Sequence, residues 1–160
     1  APNDGQALYQ FLRDKGYNQQ ELDASGLFKR SASGRIYCLF WKRVMTPIFD
    51  LRGNIIAFGG RVLDDSKPKY VNSPETLVYH KSETVFALQI AKKSASRRFV
   101  LCEGYMDVIS MQQAGIDTAV CACGTALTPE QVRLISEYAD EVILSYDSDE
   151  AGQKATLRSL

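Results

Sequence analysis

Histidine and tryptophan occur once each in the 160 residues, as His80 and Trp41, and the four cysteines show no Cys-x-x-Cys spacing. A structural zinc ion takes four Cys or His ligands. With His80 far in sequence from Cys38, Cys102, Cys121 and Cys123, no zinc is expected. Three of these cysteines lie in strand-like apolar runs, where the thiol acts as a small hydrophobe; buried, reduced thiols are the expectation. Long apolar runs are missing too. Charges interrupt every stretch well before the ~20 residues that cross a bilayer, and Ala1-Pro2-Asn3-Asp4 carries no basic and then apolar leader pattern. A soluble, cytoplasmic protein with no membrane contact is expected. Internal repeats and low-complexity segments are absent, which argues against solenoids and disordered linkers.

Net charge is also lacking, since 19 Lys+Arg meet 19 Asp+Glu, yet that balance hides a division. Residues 1–98 hold sixteen basic against nine acidic side chains and residues 99–160 hold three against ten, a split of +7 and −7. A polyanion-binding half beside a cation-binding half fits this pattern. Two solvated faces that neutralise each other give the same totals.

The chain changes texture near Ser94-Ala95-Ser96, so one domain over residues 1–96 and another over residues 97–160 are expected. In the first, Leu8, Phe11 and Leu12 mark a helix closed by Gly16, and a short helix is expected over Gln19–Ala24. Apolar runs at residues 36–41, 44–49 and 55–58, with a turn at residues 50–54, predict a hairpin in a small antiparallel sheet. Residues 67–76, polar and proline-punctuated, predict a surface loop, and a helix is expected from Ser82 to about Lys93. The second domain alternates strand and helix. Strands are expected over residues 98–102, 118–122 and 142–144. Helices are expected over residues 105–114, from Pro129 to about Tyr138, and from about Glu150. Thr128-Pro129-Glu130-Gln131 has the form of a capping box with proline at the first helical position. Such alternation implies a Rossmann-like parallel sheet covered by helices.

In open α/β sheets ligands bind beyond the carboxyl ends of the strands. Glu103 directly follows the first of these strands, and Asp147 and Asp149 follow the third. Asp107 lies one helical turn beyond Glu103. Oxygen-only donors favour hard cations, and Mg²⁺ characteristically takes one or two carboxylates, waters and substrate phosphates. The set therefore suggests metal-assisted phosphoryl transfer. A glutamate after a strand also occurs as a simple helix-start residue, and Asp-x-Asp loops also form Asx turns. A phosphatase with a nucleophilic aspartate at Asp147 fits poorly, because Ala151 stands where such enzymes generally carry Thr or Val.

Glu103-Gly104-Tyr105-Met106-Asp107-Val108, Gly124-Thr125-Ala126-Leu127-Thr128 and Tyr146-Asp147-Ser148-Asp149-Glu150-Ala151-Gly152 resemble the Toprim motifs of bacterial DnaG-type primases. Arg43-Val44-Met45-Thr46-Pro47-Ile48, residues 53–63, residues 68–76 and His80-Lys81 resemble the basic subdomain of the same family, in the same order. The resemblance covers essentially the whole chain. It implies an α+β basic subdomain followed by a truncated Toprim domain. It further implies a parent enzyme that makes short RNA primers from NTPs on single-stranded DNA during replication. Glu103, Asp147, Asp149 and, by proximity, Asp107 would then hold Mg²⁺ or Mn²⁺. Arg43, Arg61, Lys69, Tyr70, Asn72 and Lys81 match positions associated with template or nucleotide contacts. The RNA primer and, through a region absent here, the replicative helicase are the further partners implied. The pattern departs at Leu39 and Trp41, where such primases usually carry arginine, and the later Toprim acidic pair is missing, so this piece alone is expected to be inactive or nearly so. A non-catalytic module binding single-stranded DNA, or another Toprim nuclease or topoisomerase, are the alternatives.

Overall fold

A computed structural model of the chain describes residues 4–124 and 126–148. Its residues divide into two units. The first combines residues up to 48 with Ile55–Tyr79, and the second combines Phe49–Asn54 with the residues from His80 onward. The helix expected from about Glu150 lies outside the described residues.

The first unit opens with helices α1 (Ala7–Asp14) and α2 (Gln19–Ala24). Asn18 caps α2 by accepting from Glu21 N at 3.0 Å, and the Glu21 carboxylate returns the bond to Asn18 N at 2.7 Å. This reciprocal box satisfies two otherwise free backbone donors. Helix α1 packs through one side only: Leu8, Tyr9 and Leu12 are half-buried, the Tyr9 ring meets Phe28 edge-on at 5.3 Å, and Phe11 is half exposed.

Strands β1 (Phe28–Arg30) and β2 (Ile36–Cys38) pair antiparallel, Lys29 opposite Tyr37. A three-stranded sheet follows, in the order β3 (Arg43–Phe49), β4 (Ile55–Val62), β5 (Tyr70–Asn72). Strand β5 departs from the surface loop expected over residues 67–76. Its backbone pairs antiparallel with β4, Tyr70 opposite Arg61 and Asn72 opposite Gly59, and ladder bonds outweigh the polar composition that suggested a loop. The turn between β3 and β4 is tied by Asp50, whose Oδ1 accepts from Arg52 N at 2.8 Å and Asn54 N at 2.9 Å.

The helix expected over residues 82–93 is replaced by three short elements. A 3₁₀ turn at Lys81–Glu83 leads to strand β6 (Val85–Phe86) and helix α3 (Leu88–Ala91). Val85 pairs with Ala122 and Phe86 with Cys121, and both are buried. The cross-strand partner decides the conformation, because the β-branched and aromatic pair gains more from a sheet face than from continuing a helix.

The second unit is built on strand order β6-β8-β7-β9, with β7 at Arg98–Cys102, β8 at Ala119–Ala122 and β9 at Glu141–Ser145. β7 runs parallel to both β8 and β9, and β6 runs antiparallel to β8, so the sheet is mixed and mostly parallel. Helix α4 (Tyr105–Gln113) joins β7 to β8, and α5 (Pro129–Ser136) joins β8 to β9. These connections step in opposite directions across the sheet, and right-handed crossovers then put the two helices on opposite faces. Packing agrees. Phe99 and Leu101 bury one face of β7 in a core with Val120, Leu88, Ile135 and Ala139. Cys102 points the other way, its Sγ 3.5 Å from Met111 Sδ of α4.

Candidate functional site

The sheet register sets the geometry of the acidic rim in the second unit. Cys102 pairs with Ser145 as the last rung between neighbouring parallel strands, so the chain leaves both strands at the same level and in the same direction. Glu103 is the first residue beyond β7, and Asp147 is the second beyond β9. The Asp147 N–H donates to Glu103 Oε2 at 3.2 Å. Both residues are exposed, so their carboxylates need no buried partner and are open to a solvent-borne ligand.

Asp107 has a different occupation. Its Oδ2 accepts from Gly104 N at 3.0 Å, satisfying one of the donors that the start of α4 leaves free, a favourable place for a negative charge. Asp149, the third acidic residue expected here, lies outside the described residues. Among the described residues no group of three or more His, Cys, Asp or Glu side chains is gathered to hold a metal ion.

The donors that are present suit a hard cation. Glu103 and Asp147 offer oxygen only, and one Glu103 oxygen remains beyond the one that meets Asp147 N. The neighbouring sulfurs are poor competitors. All four cysteines are buried and none is in a disulfide. Burial, and then the negative charge of Asp107, push the Cys102 thiol up to about 11, and burial pushes the Cys121 thiol up as well.

Lys81, one of the expected nucleotide contacts, belongs to this unit and is held through its backbone. Gln131, on the first turn of α5 and 1% exposed, donates from Nε2 to Lys81 O and to Thr84 O, each at 2.8 Å. Its Oε1 accepts from Thr128 N at 3.0 Å, and the Thr128 hydroxyl donates to Ser82 O at 2.5 Å. Sequence reasoning found the capping box at Thr128 and Gln131. It did not find that the same two side chains tie down residues 81–84, because the two segments meet only after the sheet has formed.

The remaining expected contacts belong to the first unit. Arg61 and Tyr70 face each other across β4 and β5, with the Arg61 guanidinium 5.4 Å from the Tyr70 ring centroid. Arg61, Lys69 and Tyr70 are exposed, and Asn72 is half-buried on the same strand. Arg43 sits differently. It is only 8% exposed, and its guanidinium donates to Pro68 O at 2.8 Å, Lys69 O at 3.1 Å and, at the outer limit of length, Gly60 O at 3.4 Å. Trp41, at a position where basic residues were expected, is half exposed, with Lys42 Nζ 5.0 Å from its ring centroid.

A carboxylate rim at the C-terminal ends of a short, mostly parallel sheet is the arrangement of Toprim-like proteins, and residues 100–160 match that family. Residues 1–92 match the family described as DNA primase catalytic core, N-terminal domain. The chain belongs to the bacterial DnaG-type DNA primases. It is 46% identical over 159 residues to a DNA primase of Clostridium acetobutylicum, covering 99% of this chain and 26% of that relative. Against a DNA primase of Haemophilus influenzae the identity is 44%, over 96% of this chain and 27% of the relative. The chain thus spans about a quarter of the length of these relatives. Among solved structures, the Escherichia coli primase catalytic core superimposes with a TM-score of 0.90 at 39% identity, covering 99% of this chain and 51% of that one. A DnaG primase catalytic domain bound to single-stranded DNA superimposes at 0.83 with 40% identity, over 92% of this chain and 48% of that one.

Proposed function

We propose that this chain carries the template-binding face and the first acidic ligands of a primase active site, and that the whole enzyme joins ribonucleotides into short primers on single-stranded DNA. In that reaction a 3′-hydroxyl gives up its proton to solvent, its oxygen bonds to the α-phosphorus of an NTP, the bond from that phosphorus to the β-phosphate's bridging oxygen breaks, and pyrophosphate leaves. Membership among Toprim-like proteins implies use of a divalent metal in general. Glu103 and Asp147 would hold Mg²⁺ or Mn²⁺, with Asp149 as the third ligand and Asp107 beside them. What such an ion supplies is charge stabilisation on the phosphate oxygens. Glu103 contributes a fixed negative charge, oriented by the Asp147 N–H. Lys81 meets phosphate charge on the incoming nucleotide. Arg61 and Lys69 neutralise template phosphates, Tyr70 offers a ring for a base, and Asn72 supplies an amide for hydrogen bonding.

The observation that carries the reading is the bond between the Glu103 carboxylate and Asp147 N across two parallel strand ends, in a chain whose relatives are DNA primases. In a full-length primase carrying this segment, Glu103→Gln should abolish incorporation of radiolabelled NTPs on a single-stranded template while leaving thermal unfolding unchanged; normal incorporation would remove Glu103 from the site. The 160-residue chain alone should be inactive or nearly so in the same assay. A boundary between residues 96 and 97 belongs to the proposal, supported by the gap between the matched spans 1–92 and 100–160. So do a cytoplasmic location and contact with a replicative helicase through sequence outside this chain. Among the described residues no helix is long and apolar enough to cross a membrane.

A non-catalytic module for single-stranded DNA is the second reading, favoured by the exposed Arg61–Tyr70 pair. Binding that weakens with salt, and is lost when Arg61 and Lys69 are both replaced by alanine, would establish that property for this chain.

A further inference from the structure

Arg43 puts its charge in an unusual place for a nucleic-acid contact. Arg43 as a whole residue is only 8% exposed, and its guanidinium donates to three backbone carbonyls, at residues 60, 68 and 69, in place of water. Two of these carbonyls belong to the stretch that leads into β5, the strand that begins with Tyr70. The Lys69 carbonyl also accepts from Val62 N at 3.1 Å, so one oxygen is fixed both by the neighbouring strand and by Arg43. The space around the Arg43 stem is closed. A Cβ on Gly60 would meet Phe40 Cδ1 at 2.8 Å and Arg43 Cδ at 3.0 Å, and Phe40 is itself buried.

We infer that Arg43 is a positioning residue for the template face: it holds the Pro68–Lys69 backbone in register against β4, so that Lys69, Tyr70 and Arg61 present their side chains together. This rests on the reading that these three side chains bind single-stranded DNA. The chemistry favours arginine over lysine, because a planar fork reaches several carbonyls at once while an ammonium is a compact point charge. It also separates Arg43 from a phosphate ligand. A side chain that neutralises a phosphate releases a counterion and sets the salt dependence of binding, whereas one that only orders the backbone alters affinity at every salt concentration alike.

The test compares this chain with its Arg43→Lys, Arg43→Met, Gly60→Ala and Lys69→Ala variants. It measures anisotropy of a fluorescein-labelled oligothymidylate across a salt series and amide hydrogen exchange without DNA. Arg43→Lys should fold, with faster exchange over residues 61–71 and unchanged exchange over residues 28–38. It and Arg43→Met should bind DNA roughly tenfold more weakly at all salts, the scale expected for losing one ordered stacking contact, and Arg43→Met, which carries no charge at this position, should keep the wild-type slope of log affinity against log salt. Gly60→Ala, which crowds the same cage from the other side, should show the same signature. Lys69→Ala should instead reduce the slope by about 0.7.

Wild-type affinity in Arg43→Lys, or, in the uncharged Arg43→Met, a slope reduced by about 0.7 with exchange over residues 61–71 unchanged, would overturn the inference and make Arg43 a bystander or a direct phosphate ligand. Absence of salt-dependent binding by the unsubstituted chain would instead defeat the template-face reading and with it any positioning role. The exchange data would still report whether Arg43 holds this backbone.

Discussion

Replacing Gln131 with leucine keeps side-chain size and removes a carboxamide that has three backbone partners. Lys81 O and Thr84 O each lose a donor at 2.8 Å, and Thr128 N loses an acceptor at 3.0 Å. A buried polar group left unsatisfied costs about 1–3 kcal/mol. Thr84 is buried, so its carbonyl bears the larger penalty, while the partly buried Lys81 and Thr128 regain some solvation. Loss of the N3 half of the α5 capping box adds roughly 0.5–1 kcal/mol. Leucine returns about 1 kcal/mol through its larger apolar surface. The balance is a destabilisation of about 2–4 kcal/mol, which at a slope of ~1–3 kcal/mol per molar urea moves an unfolding midpoint by about 1–2 M. Hydrogen exchange in urea, read on peptides covering residues 80–91 and 126–136, measures this locally. A change below about 0.5 kcal/mol would refute the claim that Gln131 is the tie between α5 and residues 81–84. Gln131→Glu offers a pH test of the same geometry. A carboxylate facing two carbonyls has its folded-state pKa raised, so the variant should be most stable below the usual carboxylate range, about 4.3, and lose stability as pH rises through the folded value.

Three further outcomes follow from the packing. The Cys102 thiol, pushed up to about 11 from 9.0, stabilises the fold only while protonated. That contribution is complete below pH 9 and is lost as pH rises toward 11, and iodoacetamide should leave Cys102 unlabelled at pH 8 until urea unfolds the chain; rapid native labelling would contradict the burial argument. Thr128→Ala should cost about 1–2 kcal/mol, since it deletes both the cap on Gln131 N at 3.1 Å and the bond to Ser82 O, and a urea midpoint equal to wild type would count against it. Arg98→Ala, which breaks a pair with Glu141 whose side chains are 63% and 54% exposed, should change stability by less than about 1 kcal/mol, and by less still in 1 M salt.

Much of this protein was written in local pattern. The span of α2, the capping box of α5, the hairpin turn at residues 50–54 and the three parallel strands all follow from side-chain period, caps and turn residues that act over a few positions. So does the placement of Glu103 and Asp147 at strand ends, because a strand's last residue fixes where the next side chain emerges. Long-range partners decided the rest. Val85 and Phe86 form a strand only because Ala122 and Cys121 lie opposite. Tyr70–Asn72 leave the loop state because β4 presents a free edge. Arg43 reads in sequence as one more surface cation among basic residues. Its burial against the carbonyls of residues 68 and 69 exists only once β3, β4 and β5 are side by side. Hydrogen-bond partners distant along the chain leave no mark in composition or spacing, so charge told where phosphates are expected, and tertiary packing told which cation is committed to the backbone.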